Sequence, residues 1–142
     1  MEMLDNKLVI DIPKGMEVDV EKSDLKAGII AFKKKEISYA DVLSALAGKG
    51  VCPADIKVPE MIAGKIIALA RLMTIAKYYN GDWKPDWNSQ EYKHNIMRTS
   101  EYGITSCGNY NEGAIYFKNK EDAQAVIDNP NFRSILDAIY KD

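Results

Sequence analysis

The sequence predicts one α+β domain in which an antiparallel sheet packs on a long central helix and shorter helices. Three observations carry this prediction: apolar residues alternate near the N-terminus, one long apolar helical pattern occupies the middle, and short strand-like segments precede a helical end. At 142 residues the chain has the size of a single domain and needs no disulfide or metal to bury a core. We therefore expect one domain over residues 1–142, with an N-terminal hairpin and short helix in 1–50 and the remaining elements in 58–142.

The N-terminal part predicts a pair of strands. Residues 7–12 alternate apolar and polar side chains until Pro13, which is typical of a half-buried strand. Residues 16–20 alternate in the same way, but their acids favour a weaker strand or an extended connection. Residues 28–34 form a second strand pattern, and we expect it to pair antiparallel with the first.

Two helices follow. Ser38 is a suitable N-cap for a short helix that glycines end at residues 48 and 50. After a linker over residues 49–59, Pro59 suits the first turn of a helix that runs to about Tyr79, before the stop signal at residues 80–81. We expect this long helix to bury one broad apolar face against the sheet, made of Ile62, Ala63, Ile66, Leu69, Ala70, Met73 and Ala76.

The C-terminal part predicts a sheet and a helical ending. Residues 92–97, 103–107 and 114–118 have strand propensity and are separated by turns rich in Gly and Asn, so a three-stranded meander is expected. Residues 119–140 have helical spacing, with Asn119 as the N-cap and a break at residues 128–130.

Composition excludes several classes of protein. A formal charge of −2 and a pI near 5.5 provide no global attraction to DNA or anionic membranes. The most apolar stretch, residues 61–73, contains two cations and is too short to cross a bilayer, and the acidic N-terminus is unlike a signal peptide. We expect a cytoplasmic protein without membrane association, in which Cys52 and Cys107 are free thiols.

The segment 81–87 contains both tryptophans, and Pro85 favours a turn that presents two large aromatic faces. Such faces stack on bases, sugars or proline-rich peptides. The alternative is that both rings cover the end of the long helix and close the core. The candidate binding surface around this turn comprises Tyr79, Trp83, Lys84, Asp86, Trp87, Tyr92, Lys93 and Arg98.

Catalytic, metal and cofactor motifs are weak or missing in the sequence. His94 is the sole histidine, so a general base or nitrogen ligand would have to be this residue. Ser106 and Cys107 are distant from it in sequence, and no HExxH, GxSxG, paired-cysteine or Walker pattern occurs. We expect no catalytic residue, no metal and no cofactor.

Several segments carry a resemblance to a known group of proteins. They are residues 12–17 (IPKGME), 21–23 (EKS), 30–33 (IAFK), 69–72 (LARL), 83–87 (WKPDW) and 115–118 (IYFK). Their order resembles small prophage and mobile-element proteins of anaerobic gut bacteria, a group without a named activity, and the similarity covers nearly the whole chain. Gly81-Asp82 before Trp83 and the break at residues 129–130 depart from that pattern. The resemblance implies an accessory or interaction protein and supplies no site residue.

Three functional hypotheses follow. The first is a non-enzymatic protein-binding or adaptor module, whose partner is an unidentified protein or a second copy of the chain, with the tryptophan turn as its surface. The second is a single-stranded nucleic-acid binder in which Lys84, Lys93 and Arg98 neutralise phosphates, although the net charge disfavours it. The third is an enzyme centred on His94 and nearby acids.

Overall fold

The computed structural model describes residues 2–4, 7–46, 58–111 and 115–141, so most of the predicted linker over residues 49–59 lies outside the described residues. The chain divides into two compact units, residues 1–36 and 37–142. The described strands are β1 (Glu2–Leu4), β2 (Lys7–Val9), β3 (Met16–Val18), β4 (Phe32–Lys34), β5 (Lys93–Arg98) and β6 (Tyr102–Cys107). The described helices are α1 (Tyr39–Ala45), α2 (Glu60–Asn80), α3 (Lys120–Asp128) and α4 (Arg133–Tyr140), with a 3-10 turn at Pro130–Phe132. The predicted α+β class is therefore confirmed.

The first unit contains two antiparallel hairpins rather than the predicted pair of strands. Strand β2 pairs with β1, and β4 pairs with β3, so the expected pairing of residues 7–12 with 28–34 is wrong. Each of these pairings closes a shorter loop than the predicted pairing of β2 with β4 would, which keeps the entropy of loop closure smaller. Ser23 fastens the β3–β4 connection, because its hydroxyl donates to the Asp19 carbonyl at 2.6 Å and accepts from the Ala31 amide at 3.0 Å.

Helix α1 begins, and helix α2 begins and ends, where the sequence signals lie. Ser38 caps α1 in a reciprocal capping box with Asp41, in which each side chain bonds to the backbone amide of the other residue. Helix α2 ends at Asn80, and Gly81 has a φ of +59°, a left-handed conformation that glycine adopts without strain. The predicted start of α1 and both predicted ends of α2 are confirmed within two residues, whereas the glycines predicted to end α1, at residues 48 and 50, lie outside the described residues.

The C-terminal sheet is a two-stranded hairpin, so the predicted three-stranded meander is wrong. Strands β5 and β6 pair from Lys93 with Cys107 to Arg98 with Tyr102, whereas Phe117 joins β5 only through an isolated bridge to His94. That bridge lies on the edge of β5 opposite β6. On the other edge of this segment the Asn80 side chain donates to the carbonyl of residue 116 at 2.7 Å and accepts from the amide of residue 118 at 3.0 Å.

The helical ending is confirmed, including its break. Asn129 is buried at the break, where its side chain donates to the Ile37 carbonyl and accepts from the Asn131 amide, both at 2.9 Å. Asn119 occupies the N-cap position of α3, but its side chain donates to the Asp122 carboxylate instead of capping the backbone. The predicted cap is thus right in position and wrong in its hydrogen bond.

The core of the second unit lies between α2, the β5–β6 hairpin and the C-terminal helices. Its fully buried members include Val42, Leu72, Ile75, Phe117, Val126, Phe132 and Leu136. Helix α2 contributes Ala68, Leu72, Ile75 and Ala76 at the spacing of one helical face. No helix in the described ranges has the length and apolarity that spanning a bilayer would require.

Candidate functional site

The chain between α2 and β5 forms a series of turns that fix both tryptophans. The Trp83 amide donates to the Asn80 carbonyl at 3.1 Å, directly after the left-handed Gly81. Three residues after Trp83 the Asp86 carboxylate accepts from the Asn88 amide at 2.9 Å, a local side-chain turn. The predicted turn at Pro85 thus has a local hydrogen-bonded contact on each side, and both indoles are half-buried.

Trp87 packs against Tyr116 and a buried lysine. Its ring meets Tyr116 edge to face, with centroids 5.0 Å apart and planes at 73°. The Lys93 ammonium lies 5.3 Å from the Trp87 ring centroid and donates to the carbonyls of Ser89 at 3.0 Å and Gly108 at 2.9 Å. Lys93 is only 1% exposed, so its charge is held inside by two carbonyls and one aromatic face and is not offered to a ligand.

Trp83 has a different environment, because it lines an open groove. The groove has a volume of about 180 Å³ and is lined by Met73, Ala76, Lys77, Asn80, Trp83, Pro85, Ile115 and Tyr116. No ring contact or side-chain hydrogen bond ties the Trp83 indole to the described residues. A cavity of about 150 Å³ holds benzene, so this groove has room for one bulky apolar side chain.

A second apolar stripe on α2 leads to this groove. Ile62, Ile66, Leu69 and Met73 follow the spacing of one helical face, about 100° around the helix from the buried face that contains Leu72. Ile62 is 42% and Met73 57% exposed, while Ile66 and Leu69 are half-buried. The predicted core face is therefore right only in part: Ala76 is buried and Leu69 packs against the core, whereas Ile62, Ala70 and Met73 are exposed.

Cations predominate along this helix. Lys65, Arg71 and Lys77 lie on α2, and Glu60 in the first turn is its one acid. Lys77 is partly neutralised, because its ammonium lies 3.5 Å from the Asp82 carboxylate and donates to the Gly81 carbonyl at 2.6 Å. Lys65 and Lys77 flank the apolar stripe on its two sides, so the border of the stripe is basic.

The other candidate residues from the sequence are dispersed. Tyr79 is half-buried against Phe117, whereas Lys84 and Asp86 are exposed beside the tryptophans and Tyr92 is 65% exposed. Arg98 lies at the far end of β5, about 17 Å from Lys93 at the usual rise of a strand. The structure therefore does not bring the eight predicted residues together as one surface.

His94 has a neighbour that its sequence position did not reveal. Its Nδ1 lies 2.7 Å from the Ser106 hydroxyl, because the two residues are cross-strand partners in the β5–β6 hairpin. Burial lowers the pKa of His94 below 6.5, and Glu121 opposes that shift. Ser106 is exposed on the hairpin surface. The pair resembles a base with a hydroxyl, but no second group among the described residues hydrogen-bonds to the imidazole, so an enzyme centred on His94 stays a prediction.

The described residues contain no group of three or more His, Cys, Asp or Glu side chains that could hold a metal ion. Cys107 is a buried free thiol, and Cys52 lies outside the described residues. The sequence matches no protein-family model and no curated protein, and the fold matches no solved structure.

The sequence did not predict Met73, Pro85 and Ile115 as site residues. A signal for Met73 was present, because α2 has more apolar side chains than one face alone can bury.

Proposed function

We propose that the chain is a non-enzymatic protein-binding module of the cytoplasm, an accessory protein of a mobile element, which receives an amphipathic helix on α2. The observation that carries the proposal is the exposed apolar stripe from Ile62 to Met73 and its continuation into the groove beside Trp83. An exposed apolar patch with a polar rim is typical of a protein interaction site. Helix-in-groove recognition places apolar anchors of the ligand at the same helical spacing.

The length of the stripe defines the length of the partner segment. Ile62 to Met73 covers twelve residues, roughly 17 Å of helix at 1.5 Å per residue. This length corresponds to three turns of a partner helix, whose terminal anchor would enter the groove lined by Trp83, Pro85 and Ile115. Four stripe residues cover much less than the roughly 800 Å² that each partner contributes to a standard interface, which favours a short helical segment over a stable dimer of this chain.

The charge of α2 defines the flanks of that partner. With Lys65 and Lys77 bordering the stripe, acidic residues beside the apolar anchors would be complementary. The rim charges contribute mainly to orientation and association rate, and the apolar anchors to affinity. We therefore propose a partner with an apolar face of two or three large residues and acidic flanks.

Nucleic acid has weaker support at the tryptophan turn. Of the three cations proposed to neutralise phosphates, Lys84 is exposed beside the rings, Lys93 is buried, and Arg98 is at the other end of β5. A binding platform for single strands needs several cations beside its stacking rings. The nucleic-acid hypothesis stays a prediction without a supporting arrangement of charges.

The experiment is a selection of displayed helical peptides on the purified chain. We expect enriched peptides with apolar residues at positions i, i+3 or i+4, and i+7, and with acidic residues beside them. Met73→Asp should abolish their binding, because it places a charge in the apolar groove. Met61→Asp is the matched control, since Met61 is 90% exposed on the same helix but lies off the stripe. Failure to enrich any peptide, or equal binding to both variants, would contradict the proposal.

A further inference from the structure

A second cavity lies where the β5–β6 turn meets α3 and α4. Its volume is about 430 Å³, within the range of roughly 300–1,000 Å³ that small-molecule sites occupy. Its lining is mostly polar, unlike that of the groove beside Trp83. The charged and aromatic groups that line it are Arg98, Glu101, Tyr102, Asp128, Arg133 and Lys141.

Two arginines from distant parts of the chain converge on one tyrosine in this cavity. The guanidinium carbon of Arg98 lies 5.9 Å from the Tyr102 ring centroid, and that of Arg133 lies 4.8 Å from it. Neither arginine forms an ion pair with any residue in the described ranges. A guanidinium that stacks on a ring by its face keeps its N–H groups free to bind an anion in its plane.

The tyrosine is held rigidly between its neighbours. Its hydroxyl donates to the Asp137 carboxylate at 2.6 Å, and its ring meets Tyr140 edge to face with centroids 6.0 Å apart. Tyr140 is fixed in turn, because its hydroxyl donates to the Ile96 carbonyl at 2.9 Å. The fixed ring limits the positions of the two guanidinium groups that lie over it, which lowers the entropy lost when a ligand binds.

Two of the carboxylates around the cavity bind groups other than the two guanidinium groups. The Asp137 carboxylate is shared by the Tyr102 hydroxyl and by the Lys141 ammonium at 3.1 Å. Asp128 accepts a hydrogen bond from the Gln124 side chain at 2.9 Å. Glu101 and Asp128 still line the wall, and Lys141 is paired with Asp137, so the guanidinium groups of Arg98 and Arg133 face two carboxylates there. A lining without a positive excess suits a compact anion better than a polyanion.

The geometry points to a binding site for a small oxyanion, a phosphate monoester or a carboxylate, in the cavity that the guanidinium groups of Arg98 and Arg133 both line. Paired N–H donors of arginine match the planar oxygens of a carboxylate and the oxygens of a phosphate. The site is separate from the helix-binding groove and does not depend on the proposed protein partner.

The test is a titration of the full chain followed by ¹H–¹⁵N NMR at constant ionic strength. Inorganic phosphate is the probe for the phosphate source and acetate for the carboxylate source, with chloride as the reference salt. We expect saturable shifts at residues 98–102 and 133, and a dissociation constant raised about ten-fold or more by Arg98→Gln or Arg133→Gln. Glu101→Gln should tighten binding, because it removes a repelling carboxylate.

Arg71→Gln is the matched control. Arg71 is also an exposed arginine over a tyrosine, 5.4 Å from the Tyr39 ring centroid, but it lies on α2 outside the cavity. Its loss should leave the dissociation constant unchanged. Unshifted resonances elsewhere and cooperative thermal unfolding verify that each variant is folded.

Saturation by phosphate identifies a phosphate-binding site, and saturation by acetate alone identifies a carboxylate-binding site. The proposal is overturned if neither probe gives saturable shifts beyond those of chloride. It is overturned equally if the Arg98 and Arg133 variants bind as tightly as the unmodified chain, or if Arg71→Gln weakens binding to the same degree.

Discussion

Trp83 and Trp87 stand four residues apart in one turn and have opposite surroundings. Trp87 contacts Tyr116 edge to face and covers the buried Lys93 ammonium, which is itself bonded to two backbone carbonyls. Trp83 lines an open groove with Met73, Pro85 and Ile115. The comparison shows that proximity in sequence does not give two aromatic residues one environment: Trp87 packs on Tyr116 and Lys93, and Trp83 lines the groove that we propose as the binding site.

The same contrast exists on α2, and it gives the largest expected difference. Leu72 is fully buried in the core, whereas its neighbour Met73 is 57% exposed at the groove. Leu72→Ala should lower the free energy of unfolding by about 2–5 kcal/mol, because it leaves a cavity in a packed core. Met73→Ala should lower it by less than about 0.5 kcal/mol, as surface substitutions do. Chemical denaturation measures both, and equal losses would contradict the assignment of the two faces.

Substitution of the two tryptophans should also lower the free energy of unfolding unequally. The difference should be smaller than that between Leu72→Ala and Met73→Ala. Trp87→Ala removes the contact with Tyr116 and the cover over Lys93, so we expect a loss of about 3 kcal/mol in the free energy of unfolding. Trp83→Ala removes only groove-lining surface and should cost about 1 kcal/mol or less. Thermal unfolding followed by circular dichroism compares the two variants. A greater loss for Trp83→Ala would reverse the roles proposed here.

A variant of Lys93 tests whether the hydrogen bonds of its ammonium stabilise the packing around Trp87. Lys93→Met keeps most of the side-chain volume but leaves the carbonyls of Ser89 and Gly108 without their donor. We expect a loss of about 1–3 kcal/mol, the usual cost of unsatisfied buried acceptors. Lys84→Met, at an exposed position in the same turn, is the control and should have no measurable effect. If Lys93→Met is as stable as the unmodified chain, packing alone stabilises the region around Trp87.

The smallest expected effect is a pH dependence at His94. Burial lowers the pKa of His94 in the folded chain below its value of 6.5 in the unfolded chain. The unfolded chain therefore binds a proton first as the pH falls, so stability is highest above pH 6.5 and declines as the pH falls toward the folded pKa. His94→Gln should remove this part of the pH dependence in denaturation curves at pH 5–8. If the slope of stability against pH is the same in His94→Gln as in the unmodified chain, the pH dependence arises from other groups.

Local signals predicted the fold class and most element boundaries. Ser38, Gly81 and Asn129 act through hydrogen bonds or backbone conformations that depend on adjacent residues, which is why their positions could be identified. Strand pairing could not be predicted in the same way. The bridge between His94 and Phe117 spans 23 positions, and the hydrogen bonds from the Asn80 side chain to the backbone of residues 116 and 118 span 36 and 38 positions, so no local pattern contains them.

The candidate site was predicted only in part, for a related reason. Trp83 was predicted as a site residue from its residue type. Met73 was predicted in the core, because α2 has more apolar residues than one face can bury and the sequence does not show which of them face the core. Which face is buried depends on the elements packed against the helix. Lys93 presented the opposite problem, because a lysine in sequence predicts a solvated cation and the fold encloses this one.

The most direct test of the two tryptophan roles uses single-tryptophan variants and a peptide selected on the chain. In Trp87→Phe the remaining indole is Trp83, and in Trp83→Phe it is Trp87. We predict that peptide binding shifts the emission of Trp83 to shorter wavelength and protects it from acrylamide quenching, while the emission of Trp87 does not change. A shift confined to Trp87, or of equal size in both variants, would contradict the assignment of Trp83 to the binding groove.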